Sequence, residues 1–203
     1  MTDQTNAPQL YLITPVGASA SALGPMLAEV LDRLPVACLR IPGAGSEADL
    51  GRIADLAREI AHARDVAVVI EDHVQLALRH GLDGVHLTHN LRELRNIRKE
   101  LGADAIIGAY AGQSRHDGLN AGEAGADYVC FGPCGQSALG HGDIADHELF
   151  AWWSEMIEVP VVAEGALTPA LIADLAPVTD FIALGPEIWS AEDPLTVLTE
   201  LWR

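Results

Sequence analysis

The chain is built on a rhythm. Eight apolar, strand-like runs are each followed by a stretch with helical spacing. The runs are Leu10–Thr14, Val36–Ile41, Val66–Ile70, Gly84–Leu87, Ala105–Ala109, Tyr128–Phe131, Val159–Ala163 and Phe181–Leu184. Between the second and third, Leu50, Ile53, Leu56, Ala57 and Ile60 recur at the spacing of one helix face. Eight β-then-α units predict a closed (β/α)8 barrel, the TIM barrel. Such barrels place their chemistry at the C-terminal ends of the strands, so the candidates shrink to the few residues after each run.

Composition narrows the class further. The chain has 203 residues, 49% of them hydrophobic. Barrels of this kind run to about 250 residues, so this one is compact and leaves little room for a second domain. The reading is a polar lead-in over residues 1–8, expected to fray, and one barrel domain over 9–203. No basic region followed by an apolar stretch marks a signal peptide, and no uncharged apolar run nears the roughly 20 residues of a membrane span. The formal charge is −17, from 29 acidic and 12 basic residues. A surface this negative repels nucleic acid and anionic membrane. Lys99 is the only lysine and sits in a helix-like stretch, which argues against Schiff-base chemistry. Cys38 and Cys130 fall inside predicted strands, Cys134 follows strand six toward the mouth, and no second cysteine pair completes a zinc site. A reducing cytoplasm fits these cysteines.

The strand ends carry the polar candidates. Arg40, near the end of strand two, either pairs with an internal carboxylate or points at an anionic ligand. Strand three ends in Glu71-Asp72-His73, where Asp72 reads either as a helix N-cap or, with Glu71, as a ligand for a hard cation such as Mg²⁺. Strand four carries His86, read as a hydrogen-bonded core residue, and His89, read as a mouth residue. After strand six, residues 132–143 form the longest glycine-rich loop in the chain, with Ser137 and His141 in it. Its amides suit an anion; plain flexibility is the alternative. Strands seven and eight end in Glu164-Gly165-Ala166 and Leu184-Gly185-Pro186, and glycines there match the usual barrel phosphate site.

These residues resemble the thiamine phosphate synthase and thiazole tautomerase family. Leu10-Tyr11-Leu12-Ile13-Thr14 is similar to its opening LYLVTD, and Arg40 falls at its QLRxK motif. Glu71-Asp72 followed by Val74, Leu76 and Ala77 resembles NDRVDLAL, and Asp83-Gly84-Val85-His86-Leu87 resembles DGVHLGQ. Gly125-Ala126-Asp127-Tyr128 through Phe131-Gly132-Pro133 resembles GADYIGFGP, Val161-Val162-Ala163 with Gly165 resembles VVAIGGI, and Ile182 to Gly185 falls at GVAVISA. The resemblance spans nearly the whole chain. It implies coupling of a pyrimidine methyl pyrophosphate to a thiazole phosphate, with release of pyrophosphate and with Mg²⁺. It implies that Asp72, with Glu71, holds the metal. Arg40 and the loop containing Ser137 contact the pyrophosphate, and Gly165, Leu184 and Gly185 take the thiazole phosphate.

Several motif positions depart from the pattern. The lysine after the arginine is Pro42, the second metal-binding aspartate falls on Asn90 or Leu91, the serine after strand five is Tyr110, and the pyrophosphate loop has no lysine. The tautomerase histidine falls on Ala111 or Gly112, with His116 nearest. Two other readings therefore stand beside the synthase. One is a metal-free tautomerase using His89, His116, His141 or Glu164. The other is a silent barrel that binds a phosphorylated ligand or a partner, with Phe150, Trp152 and Trp153 as a homo-oligomer surface.

Overall fold

The computed structural model describes residues 7–136, 143–189 and 191–202. Among them, eight parallel strands close a barrel in sequence order: β1 Gln9–Ile13, β2 Val36–Ile41, β3 Ala67–Glu71, β4 Gly84–Leu87, β5 Ile106–Gly112, β6 Tyr128–Phe131, β7 Val161–Glu164 and β8 Phe181–Leu184. Closure runs through Leu10↔Ile182 and Leu12↔Leu184. The helices are α1 Ala20–Arg33, α2 Glu47–His62, α3 Val74–His80, α4 Leu94–Leu101, α5 Arg115–Ala124, α6 His147–Met156, α7 Pro169–Leu175, α8 Pro186–Trp189 and α9 Pro194–Leu201. No described helix is long and apolar enough to cross a membrane.

Local chemistry explains the punctuation. Ser19, Ser46, Ser114, Asp146, Thr168 and Asp193 each accept an amide hydrogen bond three residues on, which starts a helix. Gly81 and Gly125 end α3 and α5 in the left-handed conformation. A second device works at the lower face. Asp83, Asp127 and Asp180 each precede a strand, and each carboxylate accepts the first amides of the strand before it: Val68 N at 2.6 Å, Ile107 N at 2.6 Å and Val161 N at 2.8 Å. The aspartates of two of the quoted motifs thus serve the ladder, not the mouth.

Side chains alternate across the barrel wall. Leu10, Leu12, Leu39, Ile41, Val68 and Ile70 face the helices and form the large core. Tyr11, Ile13, Cys38, Val69, Tyr128, Cys130, Val162 and Ala183 fill the lumen. The lumen is crowded. At Gly108 a Cβ would stand 2.0 Å from Cζ of Tyr128, so glycine here makes space for that ring. Outside, Phe131 meets Phe150 and Trp153 edge-on, at centroid distances of 5.8 and 5.0 Å. Phe150 and Trp153 are thus packed in the chain's own core, and only Trp152 of that trio is partly exposed, with the Arg115 guanidinium over its ring.

Strands β3, β5 and β7 run further than their apolar runs, to Glu71, Gly112 and Glu164. Glu71 pairs with His86 and Glu164 with Ala183 in the ladder, so both acids are strand residues. Substituting Gly108 by Ala should push Tyr128 aside and cost roughly 1–3 kcal/mol, the usual overpacking penalty. A urea midpoint equal to that of the unmodified protein would show that the lumen has slack.

Candidate active site

The alternation that fills the lumen also brings Arg40 into it. Only 4% of Arg40 is exposed, and its partners come from three strands. Nη2 donates to Glu164 Oε2 at 2.6 Å, and Nη1 lies 2.8 Å from His86 Nε2. Nε lies 3.1 Å from Glu71 Oε1 but off hydrogen-bonding alignment, so that contact is an ion pair only. Burial opposes the Arg40 charge, but the Glu164 carboxylate and the phenols and thiol around it together outweigh burial, so the group stays cationic.

Arg40 also fixes the protons around it. A guanidinium only donates, so His86 Nε2 must accept. Burial, and then the Arg40 charge, hold the His86 pKa well below its ordinary value, so the ring is neutral and carries its proton on Nδ1. Nδ1 lies 2.9 Å from the Tyr128 hydroxyl and donates to it, and the Tyr128 hydroxyl lies 2.7 Å from that of Tyr11. The polar chain thus runs from Arg40 through His86 and Tyr128 to Tyr11. Burial raises the pKa of both phenols, so neither ionises near neutrality.

At the end of β3 the two acids part. Glu71 turns inward, with Oε2 accepting the Gly43 amide at 3.1 Å. Asp72 adopts a left-handed φ of 51° and turns toward the loop after β4. Its Oδ1 accepts the amides of Thr88 at 2.9 Å and His89 at 3.3 Å, and Oδ2 takes the Thr88 hydroxyl and faces His89 Nδ1 at 3.2 Å. Partial burial works against its charge, but the bonds from Thr88 and His89 prevail and lower its pKa. Asp72 does not cap α3; His73 holds that position and makes no side-chain cap. His89 is the most open group here, with 81% of its side chain exposed.

This geometry tests the fit to a divalent cation. Asp72 is the better fit: it is ionised, fixed by its neighbours and a third exposed, and a cation would replace the long contact to His89 Nδ1. Glu71 fits less well, because it is more buried and its charge answers the Arg40 guanidinium. Among the described residues no cluster of three or more His, Cys, Asp or Glu could hold a metal alone. A single carboxylate is still enough for Mg²⁺ when waters and phosphate oxygens complete its shell.

On the opposite side, Gly165 and Ala166 take positive φ values of 89° and 52° in the loop after β7. The amides of Cys134 and Gly135 are both spent on Gly165 O, at 3.0 Å each. Cys134 is buried, not open to the mouth. Leu184 is a buried residue of the large core, so it offers backbone only. The Leu167 amide at 3.2 Å and the Gly185 amide at 3.0 Å both donate to one carboxylate, that of Glu187. An apolar recess of about 290 Å³ opens nearby, lined by Ile13, Val16, Pro42, Pro186 and Trp189 among others. Ser137 and His141 lie outside the described residues.

A family model described as thiamine monophosphate synthase matches residues 10–187. The chain belongs to the thiamine monophosphate synthase family. It is 42% identical over 191 residues to the thiamine-phosphate synthase of Rhodospirillum centenum, covering 90% of this chain and 89% of that one. It is 36% identical to that of Erythrobacter litoralis, covering 93% and 92%. The solved structure of a thiamine phosphate pyrophosphorylase from Pyrococcus furiosus superposes with a TM-score of 0.81 at 23% identity, covering 98% of this chain and 95% of the other.

In this family member, the structure gathers Arg40, Glu71 and Glu164 in the lumen, Asp72 and His89 on one side of the mouth, and Gly165 and Gly185 on the other. His116 lies apart, on α5 beside Asn120 at 3.0 Å. Sequence reasoning missed Glu187 and the relay of His86, Tyr128 and Tyr11. Glu187 was visible as an acid just past β8, two residues beyond a glycine expected to meet phosphate.

Two outcomes follow. Replacing Arg40 by Met strands two carboxylates and should cost about 3–5 kcal/mol, as for a buried ion pair that loses one partner; chemical denaturation measures it. The depressed His86 pKa sets the second. Its stabilisation is complete above the unfolded-state value of about 6.5 and is lost as the pH falls below that toward the folded value. The urea midpoint should therefore drop between about pH 7.5 and about pH 5.5, and less so in His86→Asn. A midpoint that ignores pH in this window would contradict a buried neutral imidazole.

Proposed function

We propose that this protein joins a pyrimidine methyl pyrophosphate to a thiazole phosphate, forming thiamine phosphate and releasing pyrophosphate. The observation that carries this is the family match along residues 10–187, on a barrel whose strand ends hold a fixed carboxylate at Asp72 and, after β7 and β8, the amides of Leu167 and Gly185 gathered on one carboxylate. The bond from the pyrimidine methylene to the pyrophosphate oxygen breaks first and leaves its electron pair on the oxygen. The thiazole nitrogen lone pair then forms the new bond to the methylene carbon.

Mg²⁺, held by Asp72 with waters and pyrophosphate oxygens, would withdraw charge from the leaving group. The remaining work falls to the chain's own side chains. Thr88 and His89 hold Asp72 in one orientation by four contacts. Arg40, beneath the mouth, positions Glu71 and Glu164 and does not itself reach solvent. Glu164 then presents negative charge from the end of β7, where it favours a methylene cation forming above it. The apolar recess beside Trp189 excludes water from that cation. The substrates are small phosphorylated molecules. A cytoplasmic setting is supported by three cysteines that are all free and buried.

Product formation from the two precursors, followed by chromatography, tests the reading. Turnover should stop with EDTA, return with Mg²⁺, and fall about 10²-fold or more in Asp72→Asn, the scale of a lost transition-state contact. Isomerisation of a thiazole precursor that persists in EDTA, with no coupling, would replace this reading by a tautomerase.

A further inference from the structure

The carboxylate of Glu187 stands where a barrel of this kind places a ligand's phosphate. Loop amides after strands seven and eight form the usual phosphate site of this architecture. Here Glu187 Oε1 accepts from Leu167 N and Oε2 from Gly185 N. A local cap explains only half of this. An acid near the start of a helix often reaches back to the amide that precedes it, as Glu187 does to Gly185. Leu167, however, lies 20 residues away on the loop after β7, so the carboxylate bridges two separate loops. Gly185 itself has no room for a side chain, since a Cβ there would come 2.9 Å from Ile13 Cβ.

We infer that Glu187 is a specificity-determining residue that competes with the substrate's phosphoryl group for the Leu167 and Gly185 amides. The inference rests on the proposed function for the identity of the phosphate ester, but the competition is a property of the site. A phosphate cannot share those two donors with Glu187. It must displace the side chain, losing two charge-assisted bonds to gain two, and then lie beside a like charge. The phosphate subsite is therefore a weak, exchangeable one. Binding must be driven by the rest of the ligand, its ring in the recess beside Trp189 and Pro186.

Glutamine is the informative replacement. It keeps one acceptor for the amides but has no charge to repel phosphate. Calorimetry with inorganic phosphate, at fixed ionic strength and without Mg²⁺, should show Glu187→Gln binding at least about tenfold tighter than the unmodified protein, or roughly 1.4 kcal/mol. Glu187→Ala should shift in the same direction with a lower melting temperature, because the bridge between loops is lost. The ¹⁵N–¹H signals of Leu167 and Gly185 should move on phosphate addition. Equal or weaker affinity in Glu187→Gln would overturn the proposal and leave Glu187 as a cap. Tighter binding that leaves those two amide signals unmoved would also overturn it, since the phosphate would then sit elsewhere. Neither readout uses turnover, so a barrel that failed to couple the two precursors would leave this result standing.

Discussion

The guanidinium of Arg40 organises the interior of this barrel. It is a full charge in a lumen filled largely by phenols, thiols and apolar groups. Removing it from water is costly, and that cost is met only because two carboxylates and a neutral imidazole converge on it from β3, β7 and β4. The tautomer of His86 follows from that demand: Nε2 must accept from Arg40, so the ring proton on Nδ1 faces Tyr128. Three strand ends are also tied together at the level where the substrate arrives. The carboxylates at the floor of the mouth are thus held by the same group that sets the interior.

A common theme links the two sides of the mouth. On one side Arg40 is answered by Glu71 and Glu164; on the other the amides of Leu167 and Gly185 are answered by Glu187. The chain supplies its own anions to both sets of donors. Asp72 differs, because a third of its side chain stays exposed. On the proposed reading of Glu187, an anionic ligand enters there by exchange.

Much of this was legible in the sequence, and the residues show why. The eight-fold alternation is a long-range periodic signal, so barrel closure could be read without knowing a single contact. Orientation was harder. Glu71 and Asp72 are neighbours, and strand alternation alone does not say which turns inward. A left-handed backbone at Asp72 decides it, and aspartate tolerates that conformation without requiring it. Arg40 offered two readings, internal partner or ligand clamp, and the choice depended on Glu164, distant in sequence. Phe150 and Trp153 offered a surface reading beside a core one, and Phe131 packed against them decides for the core. Glu187 went unnoticed because its meaning lies in Leu167, on another loop. What stayed hidden were pairings between strand ends far apart in the chain, which no local pattern encodes.

The crowding of the lumen has an optical consequence. The chain contains three tyrosines. Tyr11 and Tyr128 are sealed beside Arg40, and Tyr110, half buried and donating to Gly132 O, is pushed up to about 12. No phenol is left to ionise at its ordinary pH while the barrel is closed. The ultraviolet band of phenolate, which in most proteins grows smoothly with alkali, becomes here a marker of barrel opening.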